Sequence, residues 1–377
     1  MAKKKSKLRT DFRKKHESRT REKGFTKAYE AGDGDGDDSV HSERISGKGE
    51  LTRKRTIIGA ETTQDDTGHG VRLEIDETVC LPGRVLCSHG LTSEVEAADG
   101  AIFNCATRRL LKTLSTDQRH VVAAGDRVYF RPEGSDGGII ERVEPRHGVL
   151  SRTSKGRQHV IVTNIDQLLI VTSAAEPNLK PNLIDRFLIT AEKIGARPVI
   201  VINKVDLVNR ADFQPLAGVF GQMGYQVLFV SAQTGFGVEA LRRMVTGRES
   251  VVAGQSGVGK SSILNCIDPG LELKVRAVSE ENQKGRHTTT AARLIRLTQG
   301  GYIVDTPGIR QFQLWDVTRE EVGGYYRDLR PYVNLCRFPD CTHTHEADCG
   351  VKNGVADGRL DARRYESYCQ VFAGDEA

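Results

Sequence analysis

The pattern of hydrophobic and polar positions changes twice along the chain. From about residue 71 to residue 152, glycine-containing turns separate short β-branched or alternating runs: RVLCS, SEVEA, AIFNCA, HVVAAGDRVYFRP and GGIIERVE. Four or five short strands at about ten-residue spacing, with little helix, predict a small β-barrel. We expect the five-stranded oligonucleotide-binding (OB) barrel, with an SH3-like barrel as the alternative.

From about Val160 onward, strand patterns alternate with helix patterns. The strands are DQLLIVTSA, PVIVINK, YQVLFVSA and SVVAG, and the helices between them are PNLIDRFLITAEKIG, ADFQPLAGVFGQMG and VEALRRMV. This alternation predicts a mainly parallel sheet covered on both faces. The segment RLIRLTQGGYIVDTPG predicts a hairpin with a Gly-Gly turn. After about residue 315 the pattern is helical, and a last helix is expected around Asp361 to Phe372.

These changes divide the chain into a leader at 1–70, a barrel at 71–152, an α/β domain at 153–314 and a helical tail at 315–377. Residues 1–28 hold twelve Lys and Arg against three Asp and Glu, and the acidic run GDGDGDD follows. Low hydrophobicity and high charge predict a largely disordered leader. Either a purely solubilising role or an anionic partner fits this composition.

Two absences bound the class of protein. The sequence has no apolar run near 18 residues and no signal-peptide pattern, so we expect a soluble, cytoplasmic chain that does not use a membrane. Three of the eight cysteines are clustered near the C-terminus and the others are scattered. In a large non-secreted chain, such a cluster favours metal binding over disulfides.

The stretch GQSGVGKS, from Gly254 to Ser261, matches the phosphate-binding pattern G-x-x-x-x-G-K-[ST] between a predicted strand and a predicted helix. Its glycines let backbone N–H groups converge on phosphate oxygens, and the helix directs its positive end at the same anion. Lys260 is expected to reach the β- and γ-phosphates. The Ser261 hydroxyl is expected to ligate Mg²⁺.

The tetrapeptide NKVD predicts which base is bound. Asp206 offers a carboxylate to the N1–H and N2–H₂ donors of guanine, which adenine lacks, so the site should discriminate strongly. Asn203 is expected to brace the loops, and the stem of Lys204 to cover the base. Ser231 and Ala232 begin a second loop, SAQ, whose backbone N–H groups suit guanine O6.

The stretch DTPG follows a predicted strand and supplies a second magnesium residue. Asp305 is expected to hold Mg²⁺ through water and the Gly308 N–H to sense the γ-phosphate.

The segment KGRHTTT precedes this strand and reads as a switch loop, with Thr289 as a third Mg²⁺ ligand. Ile309 stands where many GTPases have a glutamine that orients water. Either hydrolysis is slow and needs a partner, or another polar group substitutes, and His287 is then the candidate catalytic residue beside Lys260 and Thr289. The residues expected to contact the nucleotide are Asn203, Lys204, Asp206, Ser231, Ala232, Gly254, Gln255, Ser256, Gly257, Val258, Gly259, Lys260, Ser261, Ser262, Asp305 and Gly308.

The C-terminal cluster has the spacing of a structural zinc site. Cys336, Cys341, His343 and Cys349 form C-x4-C-x-H-x5-C, which suits one tetrahedral Zn²⁺ of the Cys₃His type with no open position. His345 is an alternative fourth ligand that the spacing does not exclude.

The order NKVD, SAQ, GQSGVGKS, KGRHTTT, DTPG and then the Cys/His cluster resembles the RsgA family, also called YjeQ or YloQ. GDRV at Gly125 to Val128, NIDQ at Asn164 to Gln167 and QLW ending at Trp315, where the family has GLW, extend the resemblance from about residue 80 to the C-terminus. The leader lies outside the family's core pattern.

The resemblance implies an OB barrel, a circularly permuted GTPase domain and a zinc-binding helical tail. It further implies a GTP hydrolase that acts late in maturation of the 30S ribosomal subunit, binds its 16S rRNA and is released on hydrolysis. It also implies that the switch-loop His287 acts in place of the missing glutamine. We expect a monomer. The rival readings are a nucleotide-gated RNA-binding module with negligible turnover and a signalling GTPase with a protein partner.

Overall fold

The structure is a computed structural model. It describes residues 7–11, 54–58, 60–62, 71–90, 92–108, 111, 121–154, 157–273, 292–305 and 317–374. Most of the predicted leader therefore lies outside the described residues, and its disorder stays a prediction. Within and just after it, strand β1 (Lys7–Asp11) pairs with β2 (Lys54–Ile58), and β3 (Ala60–Thr62) pairs with β4 (Val71–Leu73), both antiparallel.

The predicted barrel is a closed five-stranded barrel. Its strands are β5 (Leu81–His89), β6 (Thr92–Ala97), β7 (Ile102–Thr107), β8 (Arg127–Glu133) and β9 (Gly137–Val143). They lie in the order β5-β6-β7-β9-β8, and β8 closes the barrel by pairing with β5. The pairing of β7 with β9 is parallel and the others are antiparallel. This is the OB arrangement, which confirms the predicted fold over the SH3-like alternative.

The run HVVAAGDRVYFRP forms a strand only from Arg127 onward. Gly125 precedes it with φ of 90°, and a Cβ there would lie 2.1 Å from the carbonyl oxygen of Thr163. Asp126 is fully buried, and its carboxylate accepts hydrogen bonds from Arg146 at 2.7 Å and from the Thr163 hydroxyl at 2.7 Å. The close backbone approach and the hydrogen bond from Thr163 to Asp126 thus fix the barrel to the start of the next domain, and Arg146 holds the Asp126 carboxylate in place.

A hairpin of β10 (Leu150–Ser154) and β11 (Arg157–Val162) leads from the barrel into the α/β domain. The domain's strands are β12 (Gln167–Ser173), β13 (Arg197–Asn203), β14 (Gln226–Phe229), β15 (Glu249–Ala253), β16 (Arg293–Arg296) and β17 (Tyr302–Asp305). Its helices are α1 (Pro181–Ile194), α2 (Gln214–Gln222), α3 (Val238–Val245) and α4 (Lys260–Ile267). Short 3₁₀ turns span Val205–Leu207, Arg210–Phe213 and Pro269–Leu271.

The strand order β14-β13-β12-β15-β17-β16 is parallel except for β16, as predicted. Successive residues of β13 point to opposite faces: Ile200 packs with α1 and α2, whereas Val201 packs with α3 and α4. The sheet is therefore covered on both faces because its central strands are apolar throughout. The predicted hairpin is also confirmed, since β16 and β17 pair across a turn in which Gly300 and Gly301 have positive φ.

The C-terminal tail consists of α5 (Arg319–Tyr325), α6 (Arg330–Val333), α7 (Gly350–Ala356) and α8 (Ala362–Ala373). Its core packs against α1, whose Ile189 belongs to the same buried cluster as Tyr326, Tyr368 and Val371. Across the described ranges, no helix combines the length and apolar character needed to cross a membrane.

Candidate nucleotide and metal sites

The predicted nucleotide-binding segments meet at one edge of the sheet. Strands β12, β13, β14, β15 and β17 are parallel, so their carboxyl ends lie together. The tetrapeptide NKVD begins at the end of β13, the SAQ loop follows β14, the phosphate loop follows β15, and Asp305 is the last residue of β17. In open α/β sheets this edge is where ligands bind.

The phosphate loop joins β15 directly to α4. Gly254, Gly257 and Gly259 have φ of 145°, 81° and 89°. A Cβ on Gly254 would lie 2.0 Å from the Val171 carbonyl oxygen, and one on Gly259 would lie 2.4 Å from the Asn203 side-chain nitrogen. Glycine is required at these two positions because the loop passes so close to the neighbouring strands.

Lys260 begins α4 and its side chain folds back over the loop. Its Nζ donates a 2.8 Å hydrogen bond to the Gly254 carbonyl and a second to the Gln255 carbonyl. The ammonium group therefore lies at the mouth of the loop, where a phosphate would be held. Of the other predicted residues here, Val258 is buried in the core, Ser256 is exposed, and Ser261 and Ser262 lie half-buried on the first turn of α4.

Asn203 joins the two base-recognition loops to the phosphate loop. Its buried side chain donates to the Val258 carbonyl at 2.8 Å and accepts from the Ala232 backbone N–H at 3.2 Å. The Asn203 amide thus donates to the phosphate loop and accepts from the SAQ loop, and Asn203 itself begins the NKVD loop. The geometry places NKVD, SAQ and GQSGVGKS within one hydrogen-bonded unit.

The base-recognition loops present a carboxylate at the rim of this unit. Lys204 has φ of 61°, and a 3₁₀ turn follows that carries Asp206 with its side chain exposed. The Asp206 Oδ1 accepts a 2.5 Å hydrogen bond from the fully buried Ser231, whose Oγ accepts from the Thr234 N–H. Ser231 therefore orients the Asp206 carboxylate. The Lys204 ammonium group donates to the carbonyl of Glu176.

The catalytic candidates lie largely outside the described residues. His287, Thr289, Gly308 and Ile309 are all outside them, so their predicted roles stay predictions. For Asp305 the backbone is described: it pairs with Arg293 across the β16–β17 hairpin.

Sequence reasoning missed a second connection within the site. The Cys266 thiol on α4 donates to the Ala232 carbonyl at 3.3 Å. Arg242 on α3 donates to the carbonyls of Cys266 and Ile267 at the end of α4, at 2.8 and 2.9 Å. These contacts tie the phosphate-loop helix to the SAQ loop and α3. They span 24 to 34 positions, and no motif or periodicity indicates them.

The four predicted zinc ligands are brought together in the tail. The ligand atoms of Cys336, Cys341, His343 and Cys349 all lie within 4.8 Å of one another. The Nδ1 of His343 is 3.4 Å from the Cys336 sulfur and 3.5 Å from the Cys349 sulfur, and those sulfurs are 3.8 Å apart. Three thiols and one imidazole converging in this way fit a structural Zn²⁺.

His343, and not His345, faces the other three ligands. His343 is 4% exposed and adopts φ of 60°, whereas the side chain of His345 is 81% exposed and contacts the Thr344 hydroxyl. The Tyr365 hydroxyl donates to the His343 carbonyl at 2.8 Å and so holds this backbone. Burial lowers the pKa of His343, which favours the neutral imidazole that binds metal.

Together, the fold and the nucleotide site define a circularly permuted P-loop GTPase that carries an N-terminal OB barrel and a C-terminal Cys₃His module. A family model described as RsgA GTPase matches residues 143–315. The chain belongs to the RsgA GTPase family, because relatives that carry this name are 39% identical to it over more than three quarters of its length.

Two relatives named small ribosomal subunit biogenesis GTPase RsgA illustrate this membership. The protein of Sodalis glossinidius is 39% identical over 296 residues, which is 77% of this chain and 84% of the relative. That of Yersinia enterocolitica is 39% identical over 306 residues, which is 78% of this chain and 85% of the relative.

Two solved structures resemble most of this chain. YjeQ from Thermotoga maritima matches with a TM-score of 0.64 and 34% identity, covering 78% of this chain and 98% of YjeQ. YloQ, described as a circularly permuted GTPase, matches with a TM-score of 0.62 and 25% identity, covering 83% of this chain and 97% of YloQ.

Proposed function

We propose that this GTPase is an assembly factor of the small ribosomal subunit, which binds the subunit in its GTP state and leaves after hydrolysis. One observation carries the proposal: the Asn203 side chain forms hydrogen bonds with both the phosphate loop and the SAQ loop. In a chain of this family, these contacts hold the base-recognition loops beside the phosphate loop. The names of the relatives supply the ribosomal role.

At the nucleotide site, Lys260 and the loop N–H groups bind the phosphates of GTP. Asp206 accepts hydrogen bonds from guanine N1–H and N2–H₂, and backbone N–H groups of the SAQ loop donate to O6. Mg²⁺, when bound, neutralises charge developing on the β- and γ-phosphate oxygens. Ser261, Asp305 and Thr289 would hold the ion, Asp305 through a water molecule. The Gly308 N–H senses the γ-phosphate, and His287 assists attack by water.

In the tail, Cys336, Cys341, His343 and Cys349 hold one structural zinc ion. With all four positions filled by protein, the ion would have no open position for chemistry, and it would stabilise a module whose described helices have four to twelve residues.

The barrel, assisted by the basic leader, contacts 16S rRNA of the 30S subunit. OB barrels bind nucleic acid on the face of their second and third strands, here β6 and β7. Basic side chains in contact with phosphates make such binding strongly salt-dependent. The protein acts as a monomer in the cytoplasm.

The test is co-sedimentation of the full chain with purified 30S and 50S subunits, in GDP and in a non-hydrolysable GTP analogue, with turnover measured with and without 30S. We expect 30S-specific, analogue-favoured binding and faster hydrolysis on 30S. Binding without turnover would favour the nucleotide-gated RNA-binding module. Absence of binding to either subunit, with GTP hydrolysis retained, would favour a signalling GTPase.

A further inference from the structure

The hairpin β16–β17 lies between the barrel and the phosphate-loop strand. On one side, β17 pairs in parallel with β15, and Tyr302 is aligned with Glu249. On the other side, β16 meets barrel strand β5 in an antiparallel pair, Arg293 with Cys87. The barrel and the nucleotide-binding sheet thereby form one continuous eleven-stranded sheet, and the hairpin is the part where they join.

Glu96 on barrel strand β6 connects both strands of this hairpin. Its Oε1 accepts from Arg296 on β16 at 2.8 Å, and its Oε2 accepts from the Tyr302 hydroxyl on β17 at 2.6 Å. Arg296 and Tyr302 are themselves partners in the hairpin register. The Glu96 side chain is only 8% exposed, whereas that of Arg296 is 56% exposed, so water screens the contact with Arg296 more than the contact with Tyr302.

Neighbouring side chains extend the same connection toward the nucleotide. Glu94, two residues earlier on β6, pairs with Arg293 at 2.9 Å, and Arg293 is the register partner of Asp305. Arg84 on β5 pairs with Glu249, the first residue of β15, and lies over the Tyr302 ring at 5.8 Å. The barrel thus contacts both β17, which ends at the predicted magnesium residue Asp305, and β15, which leads into the phosphate loop.

We propose that Glu96 is a positioning residue, which couples the placement of the OB barrel to the hairpin that carries Asp305 and thereby to the nucleotide state. This inference rests on the proposed GTPase function but adds a residue and a route that the family's motifs do not contain. Both carboxylate oxygens of Glu96 accept hydrogen bonds from the hairpin. A nucleotide-dependent movement of β17 would therefore also move β6.

The test is hydrogen–deuterium exchange of the full chain in GDP and in a non-hydrolysable GTP analogue. In the parent protein, we expect β6 (Thr92–Ala97) to exchange at rates that differ about threefold or more between the two nucleotides. In Glu96→Ala and in Glu96→Gln, this difference should fall below about 1.5-fold while GDP affinity stays within about twofold of the parent. Tyr302→Phe should give an intermediate difference, because the Arg296 contact remains.

Glu141→Ala is the matched control, because Glu141 pairs with Arg108 at 2.8 Å within the barrel and away from the hairpin. It should keep the parental exchange difference. The proposal is overturned if β6 of the parent shows no nucleotide dependence, or if the Glu96 variants keep it. It is also overturned if Glu141→Ala loses it equally. Because the exchange assay needs only nucleotide binding, absence of 30S-stimulated turnover would refute the proposed function without affecting this result.

Discussion

The side-chain amide of Asn203 donates a hydrogen bond to the carbonyl oxygen of Val258, 2.8 Å away and 55 positions later in the chain. In this permuted order, the guanine loop precedes the phosphate loop, yet the two loops are held as neighbours. Circular permutation leaves a site intact when the joined ends lie close together, because the sheet and its edge do not change. The permutation does change the order of the segments along the chain: the base-recognition half follows the barrel, and the β16–β17 hairpin precedes the Cys₃His module.

Replacement of Asn203 should separate the loops. Asn203→Ala removes two hydrogen bonds and leaves the buried Val258 carbonyl and the Ala232 N–H without this partner, at about 1–3 kcal/mol for each group. We expect affinity for a fluorescent GDP analogue to fall by about tenfold or more. Asn209→Ala is the control, because Asn209 caps only the neighbouring 3₁₀ turn. Equal losses of GDP affinity in both variants would show that Asn203 does not hold the loops together.

Asp206 should decide which base is bound. In Asp206→Asn, the amide offers a donor where guanine N2–H₂ also donates, so GTP affinity should fall by about a hundredfold or more. Xanthine carries a carbonyl at that position and should therefore be bound better by the variant than by the parent. Competition between GTP and XTP in an equilibrium binding assay measures this exchange. Asp212→Asn, in the next exposed turn, should leave both affinities unchanged. Unaltered GTP preference in Asp206→Asn would contradict the assigned role.

The metal-binding module should depend on His343 and be indifferent to His345. Cys341→Ser and His343→Ala each remove one of four converging ligands, so we expect loss of stoichiometric zinc by elemental analysis after dialysis. His345→Ala should keep one zinc per chain, because that side chain is 81% exposed and lies outside the cluster. Retention of zinc by His343→Ala, together with its loss from His345→Ala, would reverse the assignment.

Hydrolysis should depend on His287 more than binding does. The residue type and its place in KGRHTTT predict a group that assists attack by water where Ile309 cannot. His287→Ala should slow single-turnover GTP hydrolysis by about a hundredfold or more and leave GDP affinity within about twofold. His147→Ala, a half-exposed histidine that contacts Asp166, is the control for loss of an imidazole elsewhere. A His287 variant with parental turnover would remove this residue from the mechanism.

Much of the site could be predicted from the sequence because its chemistry depends on local spacing. The loop glycines, Lys260 and the NKVD tetrapeptide are each required by a geometry that extends over a few residues. The five barrel strands could also be predicted, but not the parallel pairing of β7 with β9, because that contact joins segments that are distant in sequence. The spacing left His343 and His345 as alternatives, and the choice depends on a left-handed backbone at His343 that the spacing does not encode.

The contacts between domains could not be predicted at all. Glu96 meets Arg296 and Tyr302 across 200 and 206 positions, and Asp185 meets Arg363 and Arg364 across 178 and 179. Charged residues are mostly solvated on protein surfaces, so a sequence gives no reason to bury these particular ones. Only the packed structure shows which charges became interfacial.

Asp185 should contribute strongly to anchoring the tail to the GTPase domain. This carboxylate on α1 is fully buried and accepts from Arg364 at 2.6 Å and from Arg363 at 3.0 Å. Burial alone would lower the pKa of Arg364, but Asp328 and Asp185 raise it, so the guanidinium stays charged.

Asp185→Ala leaves that buried charge with one partner fewer and should lower the free energy of unfolding by about 3 kcal/mol. Asp357→Ala removes an exposed partner 3.8 Å from Arg359 and should cost less than about 1 kcal/mol. Urea denaturation followed by circular dichroism measures both changes. Comparable losses in the two variants would mean that burial does not set the strength of the α1 contact.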